Sequence, residues 1–584
     1  MKTLIDLITE QVTNAFTGQG YDAKYGKVTL SNRPDLCEYQ CNGAMAAAKE
    51  YKCAPFMISD KIAQVLAENE LFESVESVKP GFINMKVSPA YLAKYVSDMK
   101  ADEGRFGCDK AAHPKTIIVD YGGANVAKPL HVGHLRSAVI GESIKRIGKF
   151  MGHHMIGDVH LGDWGLQMGL IIVELKERKP DLVYYDESYT GEYPKEAPFT
   201  ISELEDIYPT ASKKSKEDEA FREAAMEATS QLQAGRRGYR ALLAHILDVS
   251  VTDLKKNYDN LNVSFELWKG ESDAQPYIPD MVQMMKDKGF AYMSEGALVV
   301  DVKEDTDTKE IPPCIILKSD GASLYSTTDL ATIVMRMQDY NPDAIIYLTD
   351  QRQSMHFVQV FRCARKCGLV TDKTKLKFLG FGTMNGKDGK PFKTRDGGVM
   401  RLEYLLKDIN EEMLKKIQES RPMEEKEAEE TAKIVGLSAV KYGDLSNQAS
   451  KDYIFDVERF TSSEGNTGPY ILYTIVRIKS ILRKYEESGK KAGEGKIGAG
   501  RSDSEKALQL ELSKFNSVME TAFEECAPHK ICAYIYDLAN AFNKFYHETK
   551  ILATDDMEAQ SSWISLLLLT RRVLETCIDM LGFE

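Results

Sequence analysis

A short, largely apolar run, Thr116–Tyr121, constrains the fold of this chain more than any other feature. Strands of parallel sheets are covered on both faces, and they therefore read as continuous rather than alternating apolar segments. A loop of small residues follows over 122–129, and helical spacing of apolar residues begins at Leu135. This order predicts a strand, a loop and a helix, the opening unit of a doubly wound α/β sheet.

The remaining segments extend this interpretation to the whole chain. Further strands of the same sheet are predicted at His154–Val159, Asp343–Leu348 and Leu376–Gly382. Between about 180 and 290 the chain is charged and helical, which indicates an insertion between the two halves of the sheet. The predicted domains are a small N-terminal α/β domain over 1–105, a Rossmann-like catalytic domain over 110–405 and an all-α domain over 406–584.

Charge and cysteine content exclude several classes of protein. The net charge of −13 argues against a polybasic protein, but nucleic-acid binding needs only a local basic surface. Such a surface is available in Ile471–Arg501, which has eight basic residues against three acidic ones, although a solvated helix would read the same way. The ten cysteines form no C-x-x-C pair, so neither a disulfide framework nor a zinc ribbon is predicted.

The apolar segments do not predict membrane association. The first ten residues carry acidic side chains within their apolar pattern, which indicates an amphipathic helix rather than a signal peptide. The longest late apolar run, Ile564–Leu569, is far shorter than the roughly 20 residues that span a bilayer. We therefore expect a cytoplasmic protein without a membrane partner.

Two histidines mark the candidate active site. His131 and His134 flank Gly133 where the loop meets the predicted helix, at the carboxyl end of a strand. A glycine allows a ligand to approach the backbone closely, and a helix N-terminus offers free N–H groups to phosphate. Two imidazoles can donate hydrogen bonds to phosphate oxygens as negative charge develops. Half of a zinc site is the alternative, but no cysteine partner or H-E-x-x-H helix supports it.

Five blocks of sequence resemble one family. Asn125–Ser137 resembles the HIGH motif of class I aminoacyl-tRNA synthetases, and Lys128, three residues before the first histidine, makes it similar in particular to the arginyl-tRNA synthetases. Four more blocks follow in the family's order: Asp158–Gly169, Gly321–Asp329, Gln351–Phe361 and Glu464–Tyr470. The resemblance implies a class I catalytic domain with a helical insertion, an N-terminal domain that contacts the tRNA elbow and a DALR-type anticodon-binding domain.

The acidic and aromatic residues of these blocks suit arginine as the substrate. A guanidinium is a planar cation with five donors, so a selective pocket needs carboxylates and an aromatic face. Tyr325 and Asp329 are four residues apart at a predicted helix start, and Asp120 ends the first strand. The resemblance implies that Asp120 and Asp329 bind the guanidinium with Tyr325 beside it. It also implies that Asn125 and Gln353 hold the α-amino and carboxylate groups.

A lysine-rich loop takes the place of the family's KMSKS motif. The loop, Gly386–Gly398, follows the strand Leu376–Gly382, but its lysines do not match the consensus spacing. A mobile loop of this composition could still close over a triphosphate. Which lysine contacts pyrophosphate is left open. The resemblance implies catalytic roles for His131, His134, Lys128 and Lys393, and ATP contacts for Gly133, His131, His134, Lys390 and Lys393.

The resemblance also implies the reaction and its partners. The arginine carboxylate attacks the α-phosphate of ATP with the help of Mg²⁺, and the arginyl-adenylate passes its acyl group to the terminal adenosine of tRNA(Arg). Activation is expected to need bound tRNA, and the protein is expected to be a monomer. Candidate tRNA contacts are Asn466, Pro469, Tyr470, Tyr473 and Arg477, although either tyrosine could equally pack inside the helical domain.

Other functions compete with this hypothesis. A lysine-specific synthetase would also need carboxylates, whereas a glutamate-specific enzyme would need basic partners, and the two aspartates argue against it. A nucleotidyltransferase can carry a similar H-x-G-H sequence, but such proteins are usually shorter and lack a helical anticodon domain. A tRNA-binding paralogue without catalysis is disfavoured by Lys128 and the intact pair His131 and His134.

Overall fold

A computed structural model describes residues 1–392 and 400–584, and its contacts divide the chain into two units. The terminal unit consists of Met1–Lys110, Ser463–Asp579 and Glu584, and the central unit consists of Ala111–Ser462 and Met580–Phe583. The terminal unit is therefore assembled from two segments that are far apart in the sequence.

The first segment of the terminal unit is a small α/β fold. Its elements are α1 (Leu4–Gly18), β1 (Val28–Leu30), β2 (Tyr39–Cys41), α2 (Gly43–Tyr51), α3 (Pro55–Ala67), β3 (Phe72–Val78), β4 (Phe82–Val87) and α4 (Pro89–Ala101). The four strands form an antiparallel sheet in the order β1-β2-β4-β3. Helix α1 buries Leu4, Ile8 and Val12 at helical spacing, as the sequence predicts.

The central unit carries the predicted doubly wound sheet. Its elements up to the end of the insertion are β5 (Thr116–Asp120), α5 (Leu135–Phe150), β6 (His154–Asp158), α6 (Leu166–Arg178), α7 (Ile201–Glu217), α8 (Glu219–Gln233), α9 (Arg237–Asn260), α10 (Glu271–Ala274) and α11 (Ile278–Asp287). The remaining elements are β7 (Ala291–Ser294), β8 (Ala297–Val300), β9 (Cys314–Leu317), α12 (Tyr325–Tyr340), β10 (Ala344–Asp350), α13 (Ser354–Lys366), β11 (Lys375–Phe381), β12 (Met384–Asn385), α14 (Leu402–Ser420), α15 (Glu425–Leu445), β13 (Tyr453–Ile454) and α16 (Val457–Phe460).

The main sheet is parallel and confirms the four predicted strands. Its order is β11-β10-β5-β6, and Asp120 at the end of β5 lies opposite Asp158 on β6 and Tyr347 on β10. The connection from β5 runs to β6 on one side, whereas β10 lies on the other side of β5. This reversal of strand order opens a crevice at the carboxyl ends of β5 and β10, where ligands bind in open α/β sheets.

Smaller elements surround this sheet. Strands β7, β8 and β9 form a separate antiparallel sheet, and β12 pairs with β13. Helices α7 to α9 lie within the predicted insertion of 180–290.

The boundary between the two units lies near residue 462, whereas the sequence predicts a domain boundary near residue 405. Helices α14 and α15 belong to the central unit. The reason is visible in α15, whose buried Asp444 accepts a hydrogen bond from Arg136 of α5 at 3.3 Å.

The second segment of the terminal unit is helical. It comprises α17 (Gly468–Glu487), α18 (Asp503–Ser513), α19 (Phe515–Glu524), α20 (Pro528–Glu548) and most of α21 (Met557–Leu581). Lys506 of α18 pairs with Glu38 at 3.1 Å and Glu73 at 2.8 Å, which joins this segment to the N-terminal sheet. None of the helices in the described ranges has the length and apolar character that a bilayer span requires.

Candidate active site

Each of the two predicted histidines accepts a hydrogen bond from a backbone N–H of their own turn. They occupy a single 3₁₀ turn, Val132–His134, immediately before α5. The Nδ1 atom of His131 accepts a hydrogen bond from the Gly133 N–H at 3.0 Å, and the Nδ1 atom of His134 accepts one from the His131 N–H at 3.1 Å. Because each Nδ1 atom is an acceptor, the hydrogen of each neutral ring is on Nε2.

The electrostatics of the turn keep both rings neutral. Burial lowers the pKa of His134 to about 3, with smaller contributions from the charges of His131 and Lys128. Burial and the Lys128 charge also lower the pKa of His131. The ring centroids are 3.9 Å apart, so two Nε2–H donors lie side by side at the helix start. Such a pair can donate hydrogen bonds to phosphate oxygens without transferring a proton.

The loop before the histidines is shaped by backbone contacts. Gly122 has a φ of 94°, a conformation that favours glycine, and its N–H donates to Ser137 Oγ of α5 at 2.8 Å. Ala127 has a φ of 63°, and its N–H donates to Ser250 Oγ of α9 at 3.0 Å. These contacts set the direction in which the following residue, Lys128, leaves the loop.

Asp120, one of the two predicted guanidinium ligands, already has a cationic partner. Arg336 of α12 is fully buried and donates from its NH2 atom to Asp120 Oδ2 at 2.7 Å and to Asp158 Oδ2 at 2.9 Å. Its guanidinium lies 5.5 Å from the ring centre of Tyr347. One internal arginine therefore bridges the two carboxylates that end neighbouring strands and offsets one of their two negative charges.

Asp329, the other predicted ligand, lies two turns before Arg336 on the same helix, and its side chain is partly buried. Its carboxylate is 2.5 Å from His356 Nε2, so the blocks Gly321–Asp329 and Gln351–Phe361 meet here. Tyr325, one turn earlier, is 76% exposed and is not packed against the carboxylates. Gln353 is exposed as well.

Glu271 is an acidic residue of this region that the sequence does not predict. It begins α10, and its N–H donates to the Leu161 carbonyl at 3.0 Å, beside β6. Burial raises the pKa of Glu271 to about 7, and the charges of Asp163 and Asp329 add to this effect while His160 opposes it. A carboxyl group with this pKa is suited to a cationic ligand, which would favour its ionised form.

Asn125 lies in the same crevice, beside the block that follows β6. Its backbone pairs with Gly162, and a Cβ atom at position 162 would overlap the Asn125 side-chain oxygen. Gly162 therefore permits the close approach of the two segments. The side chain of Gln167 donates to the Gly162 carbonyl at 3.0 Å and holds the turn.

The first turn of the lysine-rich loop and the segment that follows the loop are held by backbone hydrogen bonds. Gly386 N–H donates to the Lys390 carbonyl at 2.8 Å in its first turn. After the loop, Val132 N–H donates to the Met400 carbonyl at 2.9 Å, and Leu402 N–H donates to the Leu130 carbonyl at 3.0 Å. The segment Met400–Leu402, which follows the loop in the sequence, is thus hydrogen-bonded to the histidine turn and the residue before it. Lys390 is exposed, and Lys393 lies outside the described residues.

The described residues contain no group of three or more His, Cys, Asp or Glu side chains arranged to hold a metal ion.

The predicted RNA-contact residues lie together at the start of α17 in the terminal unit. Tyr473 is 44% exposed, whereas Pro469 is buried in the first turn. Tyr470 is half-buried and donates to Asn540 Oδ1 at 2.6 Å. Arg477 lies 4.8 Å from the ring centre of Tyr546 and donates to an asparagine of α20. Asn466 is exposed just before the helix.

Two important residues, Glu271 and Arg336, were missed by sequence reasoning for different reasons. Glu271 begins α10, a helix of four residues that is too short to show periodicity and matches none of the quoted blocks. Arg336 lies on the same helix as Asp329, seven residues later and therefore on the same face, which is the one signal that could have indicated it.

Comparisons with known proteins give a consistent result. Family models match three parts of the chain: the arginyl tRNA synthetase N terminal domain over 2–87, the catalytic domain of class I tRNA synthetases (R) over 96–457 and the DALR anticodon binding domain over 471–584. An arginine–tRNA ligase of Agathobacter rectalis is 75% identical over 596 residues, covering 100% of this chain and 99% of the relative.

Proteins with lower sequence identity to this chain indicate the same family. An arginine–tRNA ligase of Alkaliphilus oremlandii is 59% identical and covers 100% of this chain and 99% of its own length. The crystal structure of arginyl-tRNA synthetase from Plasmodium falciparum matches with a TM-score of 0.81 at 26% identity, covering 100% of this chain and 99% of that one.

Proposed function

The chain belongs to the arginyl-tRNA synthetase family, and we propose that the crevice between β5 and β10 is where it activates arginine. The protein is a class I arginine–tRNA ligase: it uses ATP to join arginine to tRNA(Arg). The predicted fold class, a Rossmann-like sheet with an N-terminal domain and a helical anticodon domain, is confirmed. The assignment of individual residues to steps of the reaction is the proposal.

In the activation step, the arginine carboxylate attacks the α-phosphate of ATP in line and pyrophosphate leaves. The neutral rings of His131 and His134 donate from Nε2 to the phosphate oxygens, on which negative charge grows. Gly133 is exposed between them and leaves room for the nucleotide. Lys128 and the side chains of the lysine-rich loop, Lys390 and Lys393 among them, contact the departing pyrophosphate. No side chain needs to act as a nucleophile.

Mg²⁺ is proposed to enter as the complex with ATP. Magnesium in proteins commonly keeps several waters and binds substrate phosphates rather than a dedicated set of protein ligands. In this role it offsets the charge of the pyrophosphate as it leaves.

Arginine is proposed to bind among several carboxylates, which contact different groups of the substrate. Asp329 and Glu271 face the guanidinium, and the buried carboxyl group of Glu271 beside Asp329 best supports this arrangement, because burial raises its pKa to about 7 and a cationic ligand would favour its ionised form. Tyr325 covers the guanidinium from the solvent side. Asp120, held by Arg336, and Asn125 bind the α-ammonium group, while exposed Gln353 reaches the carboxylate.

The tRNA is proposed to use the terminal unit. Tyr473 and Arg477 present an exposed ring and a cation on one helix, which suits stacking of an unpaired base beside a phosphate. Tyr470 and Asn466 extend this surface, and buried Pro469 fixes the start of the helix. The helices over 463–579, rather than the predicted 406–584, form the anticodon-binding part of this proposal, and 1–105 contacts the tRNA elbow.

We also propose that the enzyme works as a monomer in the cytoplasm, where its tRNA substrate is used in translation. Size-exclusion chromatography with light scattering and cell fractionation test these two points. A stable dimer would contradict the first, and a membrane-bound pool would contradict the second.

Charging of a total tRNA pool with each of the twenty amino acids tests the pocket assignment. We expect arginine alone to be charged, and ATP–pyrophosphate exchange to need added tRNA. In Glu271→Gln and Asp329→Asn, arginine should bind more weakly and ATP normally. Equal arginine KM values in the variants and the parent would show that the guanidinium lies elsewhere.

A further inference from the structure

Lys128 has an aromatic rather than an acidic partner. Its Nζ atom lies 4.7 Å from the centre of the Tyr208 ring, which belongs to α7 of the insertion. In the part of the chain that the structure describes, no carboxylate lies within ion-pairing distance of Lys128. A cation placed over an aromatic face is attracted by the ring but keeps its full charge.

The ring of Tyr208 is held in place from behind. One side of it packs against an apolar cluster of α6, α7 and α8 formed by Leu170, Ala211, Phe221 and Ala225. Ring and cluster come from the insertion and its neighbouring helix, whereas Lys128 comes from the loop after β5. The packed ring can therefore define where the lysine ammonium sits.

A second contact from the same helix face supports this arrangement. Glu205 lies one turn before Tyr208 and accepts from Arg401 at 3.0 Å. Arg401 follows the lysine-rich loop, and its backbone pairs with that of His131. One face of α7 thus contacts Lys128, which precedes the histidine turn in the sequence, and Arg401, whose backbone pairs with the turn.

We propose that Tyr208 is a positioning residue for the activation reaction, which holds the Lys128 ammonium beside His131 and His134 for the phosphates of ATP. The inference rests on the role proposed above for Lys128. An acidic partner would neutralise the lysine and compete with the phosphates, whereas the aromatic face orients the ammonium and leaves its charge available. Tyr208 itself does not touch the reacting atoms.

Kinetics of the full-length enzyme with tRNA(Arg) and MgATP test this proposal. In Tyr208→Leu, kcat/KM for ATP should fall about 3- to 30-fold, and KM for pyrophosphate in the reverse reaction should rise similarly, which is the size expected for a partly desolvated cation–π contact. KM for arginine should change less than about twofold. Tyr208→Phe keeps the ring and should behave like the parent. Asp206→Asn, an exposed position on α7 that pairs with Arg178, is the matched control.

Double variants separate the inference from the proposed function. If Lys128→Met impairs activation and Tyr208→Leu adds nothing in that background, the two residues act together as proposed. Equal losses from Tyr208→Leu with and without Lys128 would overturn the inference alone. Normal kinetics in Lys128→Met would overturn both the role of the lysine and the inference.

Replacement of Tyr208 by phenylalanines carrying one, two or three ring fluorines provides a test that does not depend on a cavity-forming variant. Fluorine weakens the negative face of the ring while changing its shape little. We expect kcat/KM for ATP to fall stepwise with each fluorine at unchanged thermal stability. A flat response would show that the ring acts only by packing.

Discussion

The carboxylate of Asp329 and the imidazole of His356 lie 2.5 Å apart and join the starts of α12 and α13. The hydrogen bond fixes one oxygen of the carboxylate and leaves the other for a ligand. Asp329→Ala should therefore raise KM for arginine by about 10- to 150-fold, the equivalent of about 1.5–3 kcal/mol for a lost charge-assisted hydrogen bond, and should leave KM for ATP nearly unchanged. Steady-state exchange kinetics measure both constants.

A matched control for this variant is Asp307→Ala. Asp307 also lies in the central unit and pairs with Arg362 at 2.8 Å, but it belongs to none of the proposed contacts. If both variants raised KM for arginine to the same extent, a general loss of structure would explain the result and the assignment of Asp329 would be wrong.

The raised pKa of Glu271 predicts that arginine binding depends on pH. Its pKa is raised to about 7, so the free pocket is largely protonated below that pH and ionised above it. Because the guanidinium favours the ionised carboxylate, KM for arginine should fall about tenfold as the pH rises from about 6 to about 8. Glu271→Gln should show a high KM that is flat over this range. A parent profile that is equally flat would contradict the prediction.

His134 should affect the chemical step more than substrate binding. Loss of its Nε2–H donor in His134→Ala is expected to lower kcat by about 10²- to 10³-fold, with a smaller change in KM for ATP. His134→Asn restores a short donor and should recover part of the loss. Single-turnover measurement of adenylate formation is the direct assay, and an unchanged rate would remove the proposed role.

The low pKa of His134 also predicts the pH dependence of stability. Its ring stays neutral in the folded protein down to about pH 3, whereas in the unfolded chain it takes up a proton near its usual pKa of about 6.5. The unfolded state therefore binds more protons below about 6.5, and stability falls as the pH is lowered through this range. Denaturant titrations should show a shallower loss in His134→Ala than in the parent. A steeper loss would be inconsistent with a buried neutral ring.

Substitution of Tyr473 tests the proposed tRNA-contact surface with little loss of folding stability. The ring is 44% exposed, so Tyr473→Ala should fold normally. If it stacks on a base, KM for tRNA should rise by the equivalent of about 1–3 kcal/mol, while KM for ATP stays constant. The control is Tyr404→Ala, an equally exposed ring in the central unit. No difference between the two variants would show that Tyr473 does not contact the tRNA.

The sequence predicts the sheet and the histidine turn well, and the reasons are local. Four apolar runs of strand length lie between helical segments, and each strand forms where its run occurs. The rings of His131 and His134 are held by backbone N–H groups of their own turn, so the orientation of each ring is set largely by adjacent residues. Structural features that depend on residues adjacent in the sequence can be inferred from the sequence.

The partners of these residues depend on distant parts of the chain and could not be inferred. Asp120 is predicted as a ligand of the substrate guanidinium, but the guanidinium that it contacts in the structure belongs to Arg336, 216 residues later. Glu271 comes near Asp329 only after the insertion has folded back beside β6. Likewise, the sequence block that contains Pro469 predicts a contact between this residue and tRNA. Only the packing of α17 shows that the Pro469 ring is buried.

The terminal unit is built from both ends of the sequence, and this sets an order of events during synthesis. Residues 1–110 leave the ribosome first, but the helices that pair with them begin after residue 462. At about 5–20 residues per second, the intervening 352 positions take roughly 20–70 s to translate. During that interval Glu38 and Glu73 lack their Lys506 partner, so the ion pairs that join the N-terminal sheet to the helical segment form only after α18 has been translated.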